Sequence, residues 1–174
     1  MFYYINYLFL YSILGFLLES FYFKLHNANM HSGIFYGPYN FIYGIAMLSC
    51  FYVYNKLSLN IITYYFIFTI ITTIIEFISG HIIYYLLKID KWDYTPFKYH
   101  FGKYICIRNS LIWGLLSIIC IYILNPYLIN KILFIIPKTF SISLIILFLI
   151  DFILSIIKNH KKKYRHETYI NNYF

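Results

Sequence analysis

Residues 61–87 read IITYYFIFTIITTIIEFISGHIIYYLL, and this stretch decides the fold. It holds one charged side chain, Glu76, and no proline. As a helix rising 1.5 Å per residue it extends about 40 Å, enough to cross the roughly 30 Å hydrocarbon core of a bilayer. Thr69, Thr72, Thr73, Glu76, Ser79 and Gly80 recur along it at the helical period and form a single stripe. Hydroxyls can bond carbonyls of their own helix one turn back, so the Thr and Ser residues suit helix-on-helix packing. Glu76 does not. A charged carboxylate near mid-bilayer costs about 3 kcal/mol on insertion scales and needs a partner or a proton.

The rest of the chain shares this character. Of its 174 residues 61% are hydrophobic, 24% aromatic and only 11% charged, whereas a water-soluble domain carries about 25% charged residues. A soluble globular domain is excluded. The expected fold is an all-α polytopic transmembrane helix bundle, one domain over residues 1–157 followed by a basic cytoplasmic tail at 158–174. Its five spans are expected at 3–23, 39–55, 61–87, 104–124 and 139–157. Between the fourth and fifth, Asn125-Pro126 is expected to stop the helix. Residues 127–136 are then too short to cross before Pro137, and their one-sided apolar pattern predicts an amphipathic segment lying in the interface. Residues 88–103 read as a polar, aromatic loop broken by Pro96, with Trp92 suited to an interfacial belt.

The formal net charge is +8, and five of the 14 Lys and Arg residues fall between Lys158 and Arg165, directly after the last apolar run. That placement points to anionic lipid and orientation. Nucleic acid is not an expected partner, because the aromatics sit in apolar spans rather than along a basic face. Leaving out Arg108, ten basic residues lie on the side of the first loop, third loop and tail, against three on the other. The N-terminus is therefore expected outside and the C-terminus in the cytoplasm. Cys50, Cys106 and Cys120 form no C-x-x-C pair and read as small core hydrophobes. The N-terminus lacks a basic region and an A-x-A site, so no cleaved signal peptide is expected.

Four charged residues interrupt the apolar runs. By helical rise Glu19 lies about 6 Å from the cytoplasmic end of its span, Arg108 about 6 Å, Asp151 about 10 Å and Glu76 about 16 Å. All four, with Asn109 beside Arg108, fall in one leaflet although successive helices run in opposite directions. Glu76, Glu19, Asp151, Arg108 and Asn109 are thus the candidate pocket. Arg108 can clamp one or two acids structurally, or an unpaired acid, Glu76 first, can bind a cation or exchange a proton. A membrane enzyme would need a nucleophile or metal set, and there is neither H-E-x-x-H nor G-x-S-x-G, nor ligand spacing at His26 and His31. No catalytic residue, metal or cofactor is expected. The stretch His31–Gly44 adds shape. Gly33 and Gly37 permit unusual backbone, and Pro38 suits a first helical turn, so a helix is expected to start there. Its N–H groups form either an anion site or a tight aromatic turn, best placed as the rim of the acidic pocket.

Several pieces, in order, resemble the Putative ABC-transporter type IV (CmpB-like) family of bacterial multi-pass membrane proteins. They are Leu14-Gly15-Phe16 with Glu19, Gly33-Ile-Phe-Tyr36-Gly37-Pro38-Tyr39 with Ile42-Tyr43-Gly44, Glu76 with Ser79, Trp92-Asp93-Tyr94, Gly102 with Ile105-Cys106, and Ser110-Leu-Ile-Trp-Gly114. The chain departs from the family pattern at Ser32, Asn40-Phe41 and Asn125-Pro126. The resemblance implies a permease-like component in the bacterial cytoplasmic membrane, alone or as a homo-oligomer, with the lipid bilayer as its surroundings. A separate ATPase subunit is implied as well, because the chain has no G-x-x-x-x-G-K-[ST]: Gly102-Lys103 is followed by Tyr104, and Phe97 stands where the first glycine belongs. The alternative is a non-transporting accessory or scaffold protein.

Overall fold

The structure, a computed structural model, describes residues 2–25, 35–87 and 90–171, apart from the side chains of Lys138 and of residues 159–171. Apolar sequence at helical length gives α1 (Phe2–Leu25), α2 (Phe41–Lys56) and α3 (Ile61–Leu87). A two-stranded hairpin, β1 (His100–Phe101) and β2 (Ile105–Cys106), pairs antiparallel around Gly102, whose φ of 61° favours glycine. Then α4 (Ile107–Ile119) continues through a π-helical stretch, Cys120–Ile129, into α5 (Asn130–Ile135), and α6 (Lys138–Asn171) closes the chain.

Among the described residues four helices are long and apolar enough to cross a membrane: Phe2–Leu25, Ile61–Leu87, Ile107–Ile135 and Thr139–Lys158. The fifth expected span is not among them. α2 has 16 residues, about 24 Å by helical rise, less than the hydrocarbon thickness. It starts at Phe41 rather than Pro38, with Asn40 as its cap residue. The reason lies in the connection before it. Asn40 N–H donates to the Ser12 carbonyl at 2.9 Å, about 20 Å short of the α1 C-terminus by helical rise. Asn40 therefore lies against the middle of α1, and α2 begins part-way along the bundle.

The expected stop at Asn125-Pro126 is corrected too. The helix widens instead, so that Asn130 N–H bonds the Asn125 carbonyl five residues back, which gives the proline ring room without ending the rod. Of the expected interfacial segment 127–136, residues 127–135 belong to this rod and Ile136 is its extended cap residue. Asn125 is 3% exposed and ties the rod to α1: it donates to Tyr7 Oη at 3.0 Å and accepts from Tyr11 Oη at 2.7 Å. Such a buried side-chain knot is self-satisfied, as an apolar interior demands.

The core gathers Tyr7, Tyr11, Met47, Cys50, Tyr64 and Phe68. The outer faces carry large apolar side chains, including Phe134 at 92% exposure, a surface suited to lipid rather than water. α1 and α2 approach closely because Gly15 lies under the Tyr43 ring and Gly44 lies on Ser12 and the Leu8 carbonyl. The α3 stripe divides as its chemistry requires. Thr69, Thr72 and Thr73 bond carbonyls of their own helix at 2.7–2.8 Å, and Gly114 of α4 packs on Thr69. Glu76 has no carbonyl to use and turns inward.

Candidate functional site

Glu76 is 4% exposed. Its Oε1 accepts from Tyr94 Oη at 2.7 Å, and its Oε2 is buried with no hydrogen-bond partner among the described residues. It faces a cavity of about 320 Å³ between α1, α2, α3, α4 and the segment before β1. Glu19, Arg108 and Asn109 line the same cavity. The structure therefore gathers four of the five candidate pocket residues at one end of the bundle.

Glu19 meets Lys91, a residue of the polar segment between α3 and α4. Lys91 Nζ lies 3.6 Å from Glu19 Oε2, with only 14% of the lysine side chain exposed. Burial holds the Lys91 ammonium below the usual lysine range, with the Glu19 charge opposing that shift. Asn40 donates through Nδ2 to the same Glu19 oxygen at 2.9 Å, which is why it leaves the α2 start uncapped by its side chain. Arg108 is not the clamp. Among the described residues no carboxylate lies within 4.0 Å of it, and its guanidinium sits over the Phe97 ring, 5.1 Å from the centroid.

Asp151 stands apart from this cavity. Its Oδ1 accepts from Tyr36 N–H at 2.9 Å and Ser155 Oγ at 3.0 Å, its Oδ2 from Gly37 N–H at 2.8 Å and from Tyr39 Oη. The Tyr36 and Gly37 N–H groups thus bind a carboxylate of the chain's own, ahead of the helix rather than at its first turn. Non-helical backbone at membrane depth needs internal partners of this kind. Lys158 Nζ rests 4.1 Å from the Tyr36 ring centroid. A second, apolar cavity of about 220 Å³ lies on this side and shares Glu19, Asn40 and Lys91 with the first.

The segment between α3 and α4 forms the lid over Glu76. Asp93 Oδ1 accepts from Thr95 N–H at 2.9 Å and Thr95 Oγ1 at 2.7 Å, a local turn. Asp90 pairs with Lys103 at 2.7 Å and accepts from Tyr104 Oη at 2.7 Å. The Lys103 ammonium holds the Asp90 carboxyl below the usual carboxylate range. Tyr94 N–H donates to the Lys103 carbonyl at 2.9 Å, closing the segment on itself. This places Tyr94 on Glu76 and Trp92 at the cavity wall.

The remaining motif residues have local duties. Tyr43 lines the cavity with its ring 4.5 Å from that of Trp113. Gly44 and Gly114 allow close helix contact, and Pro38 lies in the turn held by Asp151. Gly33, His26, His31 and Ser32 lie outside the described residues. Nothing in the sequence marks Lys91, Tyr94 and Trp113 as pocket residues; the Trp92-Asp93-Tyr94 run is the signal available for the lid. Among the described residues no group of three or more His, Cys, Asp and Glu side chains is arranged to hold a metal.

The sequence model of the family described as Putative ABC-transporter type IV matches residues 6–156. No curated protein and no solved structure matches the chain.

Proposed function

From the premise that the chain belongs to the Putative ABC-transporter type IV family, we propose that it is a permease component whose cavity around Glu76 holds the transported solute. The observation that carries this reading is the buried Glu76 Oε2, unpartnered among the described residues and lining a cavity of about 320 Å³. An acid retained in an apolar span with one oxygen left unpartnered costs stability and is explained by a ligand or proton it binds. On this reading one transmembrane domain spans residues 1–157 and the tail follows. The connection 35–40 and α2 together make the second of five crossings, and the Lys and Arg bias sets the N-terminus outside. The cavity then opens toward the cytoplasm. ATP hydrolysis comes from a separate subunit docked on the first and third loops, and no catalytic residue is assigned to this chain.

The test is co-purification of the full chain from its membrane in mild detergent. An ATPase subunit is expected to stay bound, and Glu76→Gln is expected to insert and associate normally while losing ATP turnover coupled to solute. Full coupled turnover in that variant would remove Glu76 from the mechanism. A non-transporting scaffold is the second reading, favoured by Asp151, whose carboxylate is wholly committed to the chain's own turn. Recovery of a homo-oligomer with no ATPase, and with no flux in vesicles, would select it.

A further inference from the structure

We propose that the Glu76 cavity takes a small organic cation, an alkylammonium compound whose nitrogen sits between the Glu76 carboxylate and the rings of Tyr43, Tyr94 and Trp113. The proposal rests on the permease reading and names its substrate class.

Charge comes first. Of the two cationic side chains lining the cavity, Lys91 is matched to Glu19, and Arg108 is spread over the Phe97 ring. Neither lies within 4.0 Å of Glu76. The carboxylate accepts from Tyr94 Oη, its Oε2 is buried with no hydrogen-bond partner among the described residues, and the Trp113 side chain lies beside it as a further donor. A cation supplied from outside completes it.

The walls decide which cation. Tyr43, Tyr94 and Trp113 line the cavity, with Tyr43 and Trp113 packed at 4.5 Å between centroids and Tyr94 donating to the carboxylate. Aromatic faces attract diffuse organic cations, and aromatic-lined sites are the usual receptors of quaternary ammonium groups. A hard metal ion needs about six oxygen ligands, and the described residues offer no cluster of carboxylates or imidazoles for one. The cavity volume, about 320 Å³, falls at the small end of the roughly 300–1,000 Å³ of small-molecule sites.

The chain carries a direct readout. Trp92 and Trp113 are its only two tryptophans, and both line this cavity. Titrating the purified full chain in detergent with choline chloride is expected to change tryptophan emission saturably, while sodium chloride at equal ionic strength does not. Glu76→Gln is expected to weaken choline at least tenfold. Trp113→Leu, read through Trp92, should weaken it at least tenfold as well, so the site remains testable if the first variant folds poorly. The proposal is overturned by the absence of a saturable change, by an equal change with sodium chloride, or by Glu76→Gln binding as tightly as the parent. Choline binding without an ATPase partner or flux would remove the permease reading and leave the site. Glu76-dependent ATP turnover without choline binding would remove the ammonium class and leave the permease.

Discussion

Asp151 and Glu76 are both acids within apolar helices, and their oxygens are used in opposite ways. Both Asp151 oxygens accept hydrogen bonds from the 35–40 turn or from Ser155, so Asp151→Asn turns one acceptor into a donor facing an N–H. Bonds to a charged acceptor are worth about 1.5–3 kcal/mol, and we expect the variant to melt measurably earlier in detergent. Glu76→Gln keeps the Tyr94 bond and deletes a buried charge, so its melting temperature should equal or exceed the parent's. A large drop would make Glu76 a structural residue. The sequence made these acids legible because a carboxylate in an apolar run has no bland explanation. It could not reveal Lys91, which sits among polar loop residues and becomes a buried partner of Glu19 only through tertiary folding. Arg108 was legible as an intramembrane cation, but its partner is the Phe97 ring, and aromatic partners are invisible in a chain with 18 phenylalanines and 22 tyrosines.

At the scale of elements, length and period sufficed for α3, expected and found over residues 61–87. They failed where the backbone is irregular. Pro126 read as a stop because proline lacks an N–H, yet the π-helical stretch bypasses it, a solution no residue pattern announces. Pro38 read as a helix start, yet Asp151, more than a hundred residues later, holds that turn. The small residues between α1 and α2 give a direct test. A Cβ on Gly44 would fall on Ser12 and the Leu8 carbonyl, so Gly44→Ala should cost about 1–3 kcal/mol by overpacking, read as a lower melting temperature in detergent. The lid has its own pH dependence. Lys103 holds the Asp90 carboxyl low, so the pair stabilises the lid fully above the ordinary carboxylate range, and that stability is lost as pH falls from there through the lowered Asp90 value. Protection of the Tyr94 amide, which donates to the Lys103 carbonyl, should fall in the same window in hydrogen exchange corrected for the intrinsic rate. Protection that is flat across it would show that the pair does not hold the lid.

For the whole molecule, the class was legible from composition alone, since a chain with 11% charged residues has no aqueous fold. The number of crossings was not, because α2, at 16 residues, falls short of the hydrocarbon thickness and follows an irregular connection. Single cysteines at Tyr4 and at Ser58 decide it: with five crossings both α1 and α2 lie between them, and a membrane-impermeant thiol reagent should reach both from outside. Labelling of only one of them in intact cells would reduce the count. The turn anchored by Asp151 also sets the order in which the protein can be completed during synthesis. Tyr36 and Gly37 leave the ribosome 115 and 114 residues before the carboxylate that receives their N–H groups. Until α6 inserts, that turn has no acceptor at its final depth and must stay where water can reach it, so the mouth of the bundle is the last part of the protein to be built.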